Sequence, residues 1–133
     1  MNWKLIVQLS MFGLIMAFGT ISLIPEKFEF LFWIVIFIVV AYIIAKVCNG
    51  KYFLHGFMVS VFNCVYITAA HTIFYTSYNA HHPDMTQVTF YMSPHLVLSM
   101  LIIGIGSAIV FGLIQGLVAF ITSKIVKPNV PVN

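Results

Sequence analysis

The chain has 133 residues, of which 62% are hydrophobic and 7% are charged, and its mean hydropathy is +1.06. A soluble domain of this size cannot bury that much apolar surface, so the composition indicates an integral membrane protein. The net charge of +3 comes from lysines, and the chain contains no arginine. These features favour contact with the lipid bilayer and its anionic lipids, so we expect no nucleic-acid binding, and the lack of arginine argues against a phosphate-handling enzyme.

The charged residues alternate between the connections that separate the apolar runs. Five of the six lysines fall in the two tails and the second connection: Lys4, Lys46, Lys51, Lys124 and Lys127. The three acids fall in the first and third connections: Glu26, Glu29 and Asp84. By the positive-inside rule, this alternation predicts four crossings of a bacterial inner membrane, with the N-terminus and the C-terminus both in the cytoplasm.

The predicted spans, in chain order, are residues 5–24, 29–47, 52–78 and 94–123. The first is longer than the apolar region of a signal peptide and ends at Pro25, so we expect it to be retained. The second is apolar on every side, which is typical of a helix that faces lipid. Asn49 and Gly50 favour a turn before the third span, and Ser93 followed by Pro94 favours the start of the fourth.

We see no internal repeat, so the sequence predicts one domain over residues 1–133. The expected fold is an all-α membrane protein, an antiparallel four-helix transmembrane bundle built from two hairpins. Cys48 lies at the end of the second span and Cys64 lies inside the third. Because a helix that separates them holds the two sulfurs apart, we expect both thiols to be free.

Small residues recur at four-residue spacing in two of the spans. They are Gly104, Ala108, Gly112 and Gly116 in the fourth span, and Gly13 and Ala17 in the first. In lipid, such residues let helix backbones approach closely. The pattern predicts that the first and fourth spans pack on each other, and the alternative is an interface between copies of the chain.

Polar side chains inside the spans form two predicted groups. The amides of Gln8, Asn63 and Gln115 are expected to form one hydrogen-bonded cluster. One face of the third span carries Asn63, Ile67, His71, Tyr75 and Tyr78. Both groups are typical of structural hydrogen bonds between helices. The alternative is a path for an ion or polar ligand, in which His71 relays protons.

The third connection and the start of the fourth span carry a group of candidate metal ligands: His81, His82, Asp84 and His95. Imidazole and carboxylate groups bind zinc and other divalent metals, so a metal cofactor at this outer face is one interpretation, and a solvated polar loop is the other. The spacing matches no ligand signature such as HExxH, and no histidine forms a recognisable triad with a nucleophile and an acid. We therefore predict no catalytic residues.

Two segments resemble a family of small, four-helix bacterial inner-membrane proteins that is known only as a domain of unknown function. The first segment, 50–57, reads GKYFLHGF, and the second, 112–121, reads GLIQGLVAFI. The resemblance implies a fold and a location, and it implies no catalytic residues.

Three functions remain open from the sequence. The first is a non-enzymatic membrane protein that acts through helix packing, as an oligomer or as a subunit beside a larger partner. The second is a small transporter or channel for a cation or polar solute that uses the face with Asn63 and His71. The third is a membrane enzyme or metal-binding protein that uses the outer histidines.

Overall fold

The computed structural model describes residues 1–82 and 95–126. These residues form five helices: α1 (Trp3–Ser22), α2 (Glu26–Val47), α3 (Tyr52–Ile73), α4 (Tyr75–His81) and α5 (Leu96–Ile125). All except α4 are long and apolar enough to cross a membrane. The prediction of an all-helical fold with four helices able to span a membrane is thereby confirmed for the described residues. Ser93 and Pro94, which were predicted to begin the fourth helix, lie outside the described residues.

Local sequence explains where the first helices begin and how α2 turns into α3. The Oδ1 atom of Asn2 accepts a hydrogen bond from the backbone N–H of Leu5 at 3.1 Å, which caps α1. Pro25 has extended backbone angles and precedes α2. Between α2 and α3 the chain passes through two residues with positive φ, Gly50 at 151° and Lys51 at 51°. The predicted turn is present, and its second left-handed residue is a lysine.

The third predicted span is shorter than the sequence indicated. It was expected to continue over 52–78, but α3 ends at Ile73, and the short helix α4 begins at Tyr75. At the junction, Phe74 has φ −102° and ψ 31° and packs edge-on against Phe18 of α1 with ring centroids 6.1 Å apart. The β-branched residues Thr72 and Ile73 precede the break, and such residues have lower helix propensity.

Helix α3 is the central element of the fold. It packs against both α1 and α5, whereas α2 packs mainly against α5. Within the described residues, α1 and α5 do not contact one another. Each terminal transmembrane helix is therefore positioned by α3 and not by the other.

The main hydrophobic core lies at the end of the helices that carries Lys4, Lys46, Lys51 and Lys124, which we call the lysine end. Nine buried residues from α1, α2, α3, α5 and the start of the turn after α2 form this core: Leu5, Ile6, Leu9, Val40, Ala41, Ile44, Cys48, Val59 and Ala119. A smaller cluster, with Ala17, Ile21 and Ala70, joins α1 to α3 nearer their other ends. All four long helices thus contribute side chains to the core at the lysine end.

Candidate functional site

The predicted glycine stripes both face α3. The side chain of Asn63 lies against Gly13, and that of Thr68 lies against Gly104. A Cβ atom at Gly112 would lie 2.9 Å from the ring of Phe57. The prediction that the first and fourth spans pack on each other is therefore wrong, because four-residue spacing identifies a close-packing face but does not identify the helix that covers it.

The remaining members of the two stripes fit the same arrangement. A Cβ atom at Gly116 would lie 2.8 Å from the ring of Phe53, again on α3. Ala17 is fully buried and belongs to the small cluster that includes Ala70 of α3. Ala108 is half-buried. The closest backbone approach involves a glycine of α3 itself, because a Cβ at Gly56 would lie 2.6 Å from the carbonyl oxygen of Gln115.

The three amides that were predicted to form one cluster lie in separate environments. Gln8 is exposed on the outer surface of α1. Gln115 is 1% exposed, and its Nε2 donates to the carbonyl oxygen of Phe37 on α2 at 3.2 Å. Asn63 is 3% exposed in the contact between α3 and α1. The expected cluster of three amides is therefore not formed.

Two of these amides keep an unused acceptor. Within the described part of the chain, neither Oδ1 of Asn63 nor Oε1 of Gln115 has a hydrogen-bond partner, and both atoms are buried. An unpaired buried polar atom costs about 1–3 kcal/mol. Each amide therefore serves as a contact between two helices without satisfying all of its own hydrogen-bonding capacity.

The face of α3 that contains His71 ends in a stack of three rings. His71 stacks on Tyr78 with centroids 4.0 Å apart, and Tyr78 stacks on His82 with centroids 4.6 Å apart. All three residues are buried. We call this group the ring stack. Of the other residues predicted on this face, Ile67 packs against the small α1–α3 cluster and Tyr75 is half-buried.

A hydrogen bond ties the ring stack to α1. Nε2 of His71 lies 2.9 Å from Oγ1 of Thr20, and the same hydroxyl bonds the carbonyl oxygen of Met16 at 2.9 Å. If the hydroxyl donates its single proton to that carbonyl, the imidazole must donate to the hydroxyl oxygen. The sequence did not indicate Thr20 as the partner, because a threonine in an apolar helix also bonds its own backbone.

His82 is the most enclosed member of the ring stack, with 1% of its surface exposed. Its Nδ1 donates to the carbonyl oxygen of Tyr78 at 3.3 Å, since that oxygen can only accept. Its Nε2 is buried without a partner in the described residues. His82 was predicted to lie in an outer loop, and its role as the last ring of the stack became visible only through the fold.

The predicted metal ligands are spread over different environments. His81 is exposed and bonds the carbonyl oxygen of Ser77 at 2.8 Å, whereas His82 turns inward. His95 is exposed just before α5, and Asp84 lies outside the described residues. Within residues 1–82 and 95–126, no three His, Cys, Asp or Glu side chains are placed to hold one metal ion. A site that includes Asp84 stays a prediction.

A second polar feature lies at the lysine end. Nε2 of His55 accepts a hydrogen bond from the backbone N–H of Asn2 at 2.9 Å, and its Nδ1 donates to the carbonyl oxygen of Lys51 at 2.8 Å. The pairing with Asn2, which is 53 residues away, could not be predicted from the sequence. Cys48 and Cys64 are both free, as predicted, and both are buried. Burial raises the pKa of the Cys48 thiol above its ordinary value of 9.0.

The chain matches no protein-family model, no curated protein and no solved structure. The resemblance of the segments 50–57 and 112–121 to small inner-membrane proteins therefore stays a prediction.

Proposed function

We propose that the chain is an antiparallel four-helix bundle of the bacterial inner membrane, with both termini cytoplasmic. We propose further that it acts without catalysis, as a subunit packed against copies of itself or against a larger membrane protein. The grouping of lysines at one end of four apolar helices supports the orientation, because positively charged residues favour the cytoplasmic side.

The observation that carries the proposal is the contrast between the inside and the outside of the helices. Most of the small and polar residues singled out in α1, α3 and α5 are in contacts within the chain, with Gln8 and Gly106 as exposed exceptions. The outward face of α5 is apolar over most of its 30 residues, with these side chains at least 41% exposed: Val97, Leu98, Leu101, Ile102, Ile105, Ile109, Val110, Phe111, Leu113, Ile114, Leu117, Phe120 and Ile121. Such a surface suits lipid or another apolar helix.

Gly106 offers the sharpest test of packing between chains. It is exposed in the middle of α5, and a Cβ atom there would meet nothing within 4 Å. Gly112, in contrast, is covered by Phe57 of the same chain. A large residue at position 106 should therefore disturb only a neighbour outside the chain, whereas one at position 112 disturbs the fold.

Crosslinking in native membranes tests the assembly. We expect discrete species above the monomer, and we expect Gly106→Leu to reduce them without lowering the thermal stability of the purified protein. Ile109→Leu, which alters an exposed position one turn away without adding volume, is the matched control and should leave them intact. A wild-type chain that is strictly monomeric would contradict the proposed assembly.

Cysteine labelling tests the orientation independently. In a background without Cys48 and Cys64, His81→Cys should react with a membrane-impermeant maleimide in intact spheroplasts, since His81 is exposed. Lys124→Cys is exposed at the lysine end and should react only after the membrane is opened. The opposite pattern would mean that the lysine end faces outward.

A transporter or channel for a cation or polar solute is the second candidate function. The observation that favours it is the set of buried atoms without partners, Oδ1 of Asn63, Oε1 of Gln115 and Nε2 of His82, within the described residues. In proteoliposomes, Asn63→Ala and His71→Ala should abolish flux, whereas Gln8→Ala, at an exposed position of α1, should not. Flux that survives the first two changes, or that never exceeds empty vesicles, would exclude this function.

A further inference from the structure

The lysine end contains an open cavity of about 440 Å³ between the start of α1 and the turn from α2 to α3. Its polar lining comes from Asn2, Asn49, Lys51 and His55. Cavities of roughly 300–1,000 Å³ are the usual size for small-molecule sites. The cavity lies at the start of α3 and the ring stack lies at its other end, so the two are separate features of the fold.

His55 builds one wall of the cavity without being available to a ligand. Both of its ring nitrogens are used, one by the backbone N–H of Asn2 and the other by the carbonyl oxygen of Lys51. The ring is 4% exposed. It therefore holds two of the lining residues in fixed positions relative to each other.

Lys51 is the one lysine side chain in the lining of the cavity. Its side chain is exposed, and it forms no ion pair among the residues that the structure describes. Its backbone is left-handed, with φ 51°, and it is the one residue other than glycine with positive φ in the described ranges. This conformation is less strained for glycine or asparagine, and residues held in it concentrate at ligand sites.

The surroundings of the cavity favour an anion. Lys4, Lys46 and Lys124 lie at the same end of the helices, whereas Glu26 and Glu29 lie in the first turn of α2, at its opposite end. Lysine binds phosphate as a point charge, and asparagine amides can donate hydrogen bonds to phosphate oxygens. In a membrane-spanning chain, the end of the helices is also where lipid headgroups lie.

We propose that this cavity binds the phosphate of an anionic phospholipid headgroup, with Lys51 as its cationic partner. The inference needs only that the chain spans a membrane, and it does not depend on assembly or transport. Failure of the crosslinking test would leave it unaffected.

Thermal unfolding of the purified protein in a neutral detergent tests the proposal. We expect added phosphatidylglycerol to raise the Tm more than phosphatidylcholine does. Lys51→Gln should weaken the apparent affinity for phosphatidylglycerol about fivefold, as expected for one lysine near an anionic lipid, whereas Lys124→Gln should leave it within about twofold. Lys124 is the matched control, because its ammonium group lies at the lysine end, outside the cavity lining, 4.9 Å from the ring centre of Phe120.

Two additional measurements distinguish a phospholipid site from binding of free phosphate and from an effect of general surface charge. Asn49→Asp places a negative charge in the cavity lining and should remove the preference for phosphatidylglycerol even if Lys51→Gln fails to fold. Inorganic phosphate should stabilise the protein less than phosphatidylglycerol does. Equal stabilisation by the two would mean that the cavity binds free phosphate and would overturn the proposal of a lipid site. Equal losses in Lys51→Gln and Lys124→Gln would overturn the site, since general surface charge would then explain the binding.

Discussion

The side chain of Asn63 occupies the space that a side chain at position 13 would need. Gly13 lies on α1 and Asn63 on α3, so the two helices approach closely because one residue has no side chain and the other fills the gap. The amide oxygen at this contact is buried without a partner in the described residues. The pair therefore depends mainly on shape, and each residue constrains what the other can be.

We expect Gly13→Ala to destabilise the protein by about 1–3 kcal/mol, the usual cost of overpacking a filled contact. Asn63→Ala should relieve much of this cost, so the double variant should be more stable than the sum of the two single changes. Gly106→Ala is the matched control, because a Cβ atom there meets nothing within 4 Å. Unfolding in detergent micelles measures all four variants, and strictly additive effects would contradict the proposed coupling.

A second prediction concerns the hydrogen bond between Thr20 and His71. Thr20→Val keeps the shape of the side chain but removes the hydroxyl that lies 2.9 Å from Nε2 of His71, so we expect a loss of about 1–3 kcal/mol for a buried polar atom left unpaired. Thr72→Val is the control, since that hydroxyl bonds only the carbonyl oxygen of Thr68 in its own helix, at 2.6 Å. Equal effects of the two changes on unfolding would argue against a specific role for the bond.

The sequence predicted the four spans because helix length and hydropathy are set by the bilayer thickness and do not depend on tertiary contacts. It also identified Gly13, Gly112 and Gly116 as close-packing positions. It could not identify their partner, because periodicity describes one helix at a time. Each helix of a four-helix bundle has three other helices as possible partners, and the side chains that fill the glycine gaps, such as Phe57, are simply apolar residues in the sequence.

The burial and partners of the polar residues were also hard to predict, because they depend on which neighbouring helix covers each face. Gln8 and Gln115 were both expected to point inward, since an amide in hydrocarbon usually needs a partner. Gln8 is exposed instead, because the same side of α1 does not contact another helix. His82 lies beyond the third predicted span, at the end of α4, where i, i+4 spacing places it on Tyr78. The break at Phe74 in turn brings Tyr78 onto His71, which a continuous helix would hold two turns away.

The pH dependence of Cys48 gives a third prediction. Burial raises the pKa of this thiol above its ordinary value, and the thiolate is the form that reacts with alkylating reagents. The midpoint of its rate of alkylation against pH should therefore lie above that of Val47→Cys in a cysteine-free background, because position 47 is exposed. Since the folded state disfavours the ionised thiol, stability should also fall as the pH rises through the ordinary thiol pKa. Equal midpoints would contradict the effect of burial.

The contact between Gln115 and α2 gives the last prediction. Nε2 of Gln115 donates to the carbonyl oxygen of Phe37 at 3.2 Å, while its Oε1 has no partner in the described residues. Gln115→Leu loses the first bond but removes the unpaired acceptor, and hydrogen bonds between membrane helices average about 0.6 kcal/mol. We therefore expect its free energy of unfolding to change by less than about 1 kcal/mol.

Gln115→Glu keeps the size of the side chain but introduces a buried carboxyl group, so it should destabilise the protein strongly. A loss above about 2 kcal/mol in Gln115→Leu would show that the amide holds α5 to α2. Unchanged stability with lost flux would instead identify Gln115 as part of a transport path.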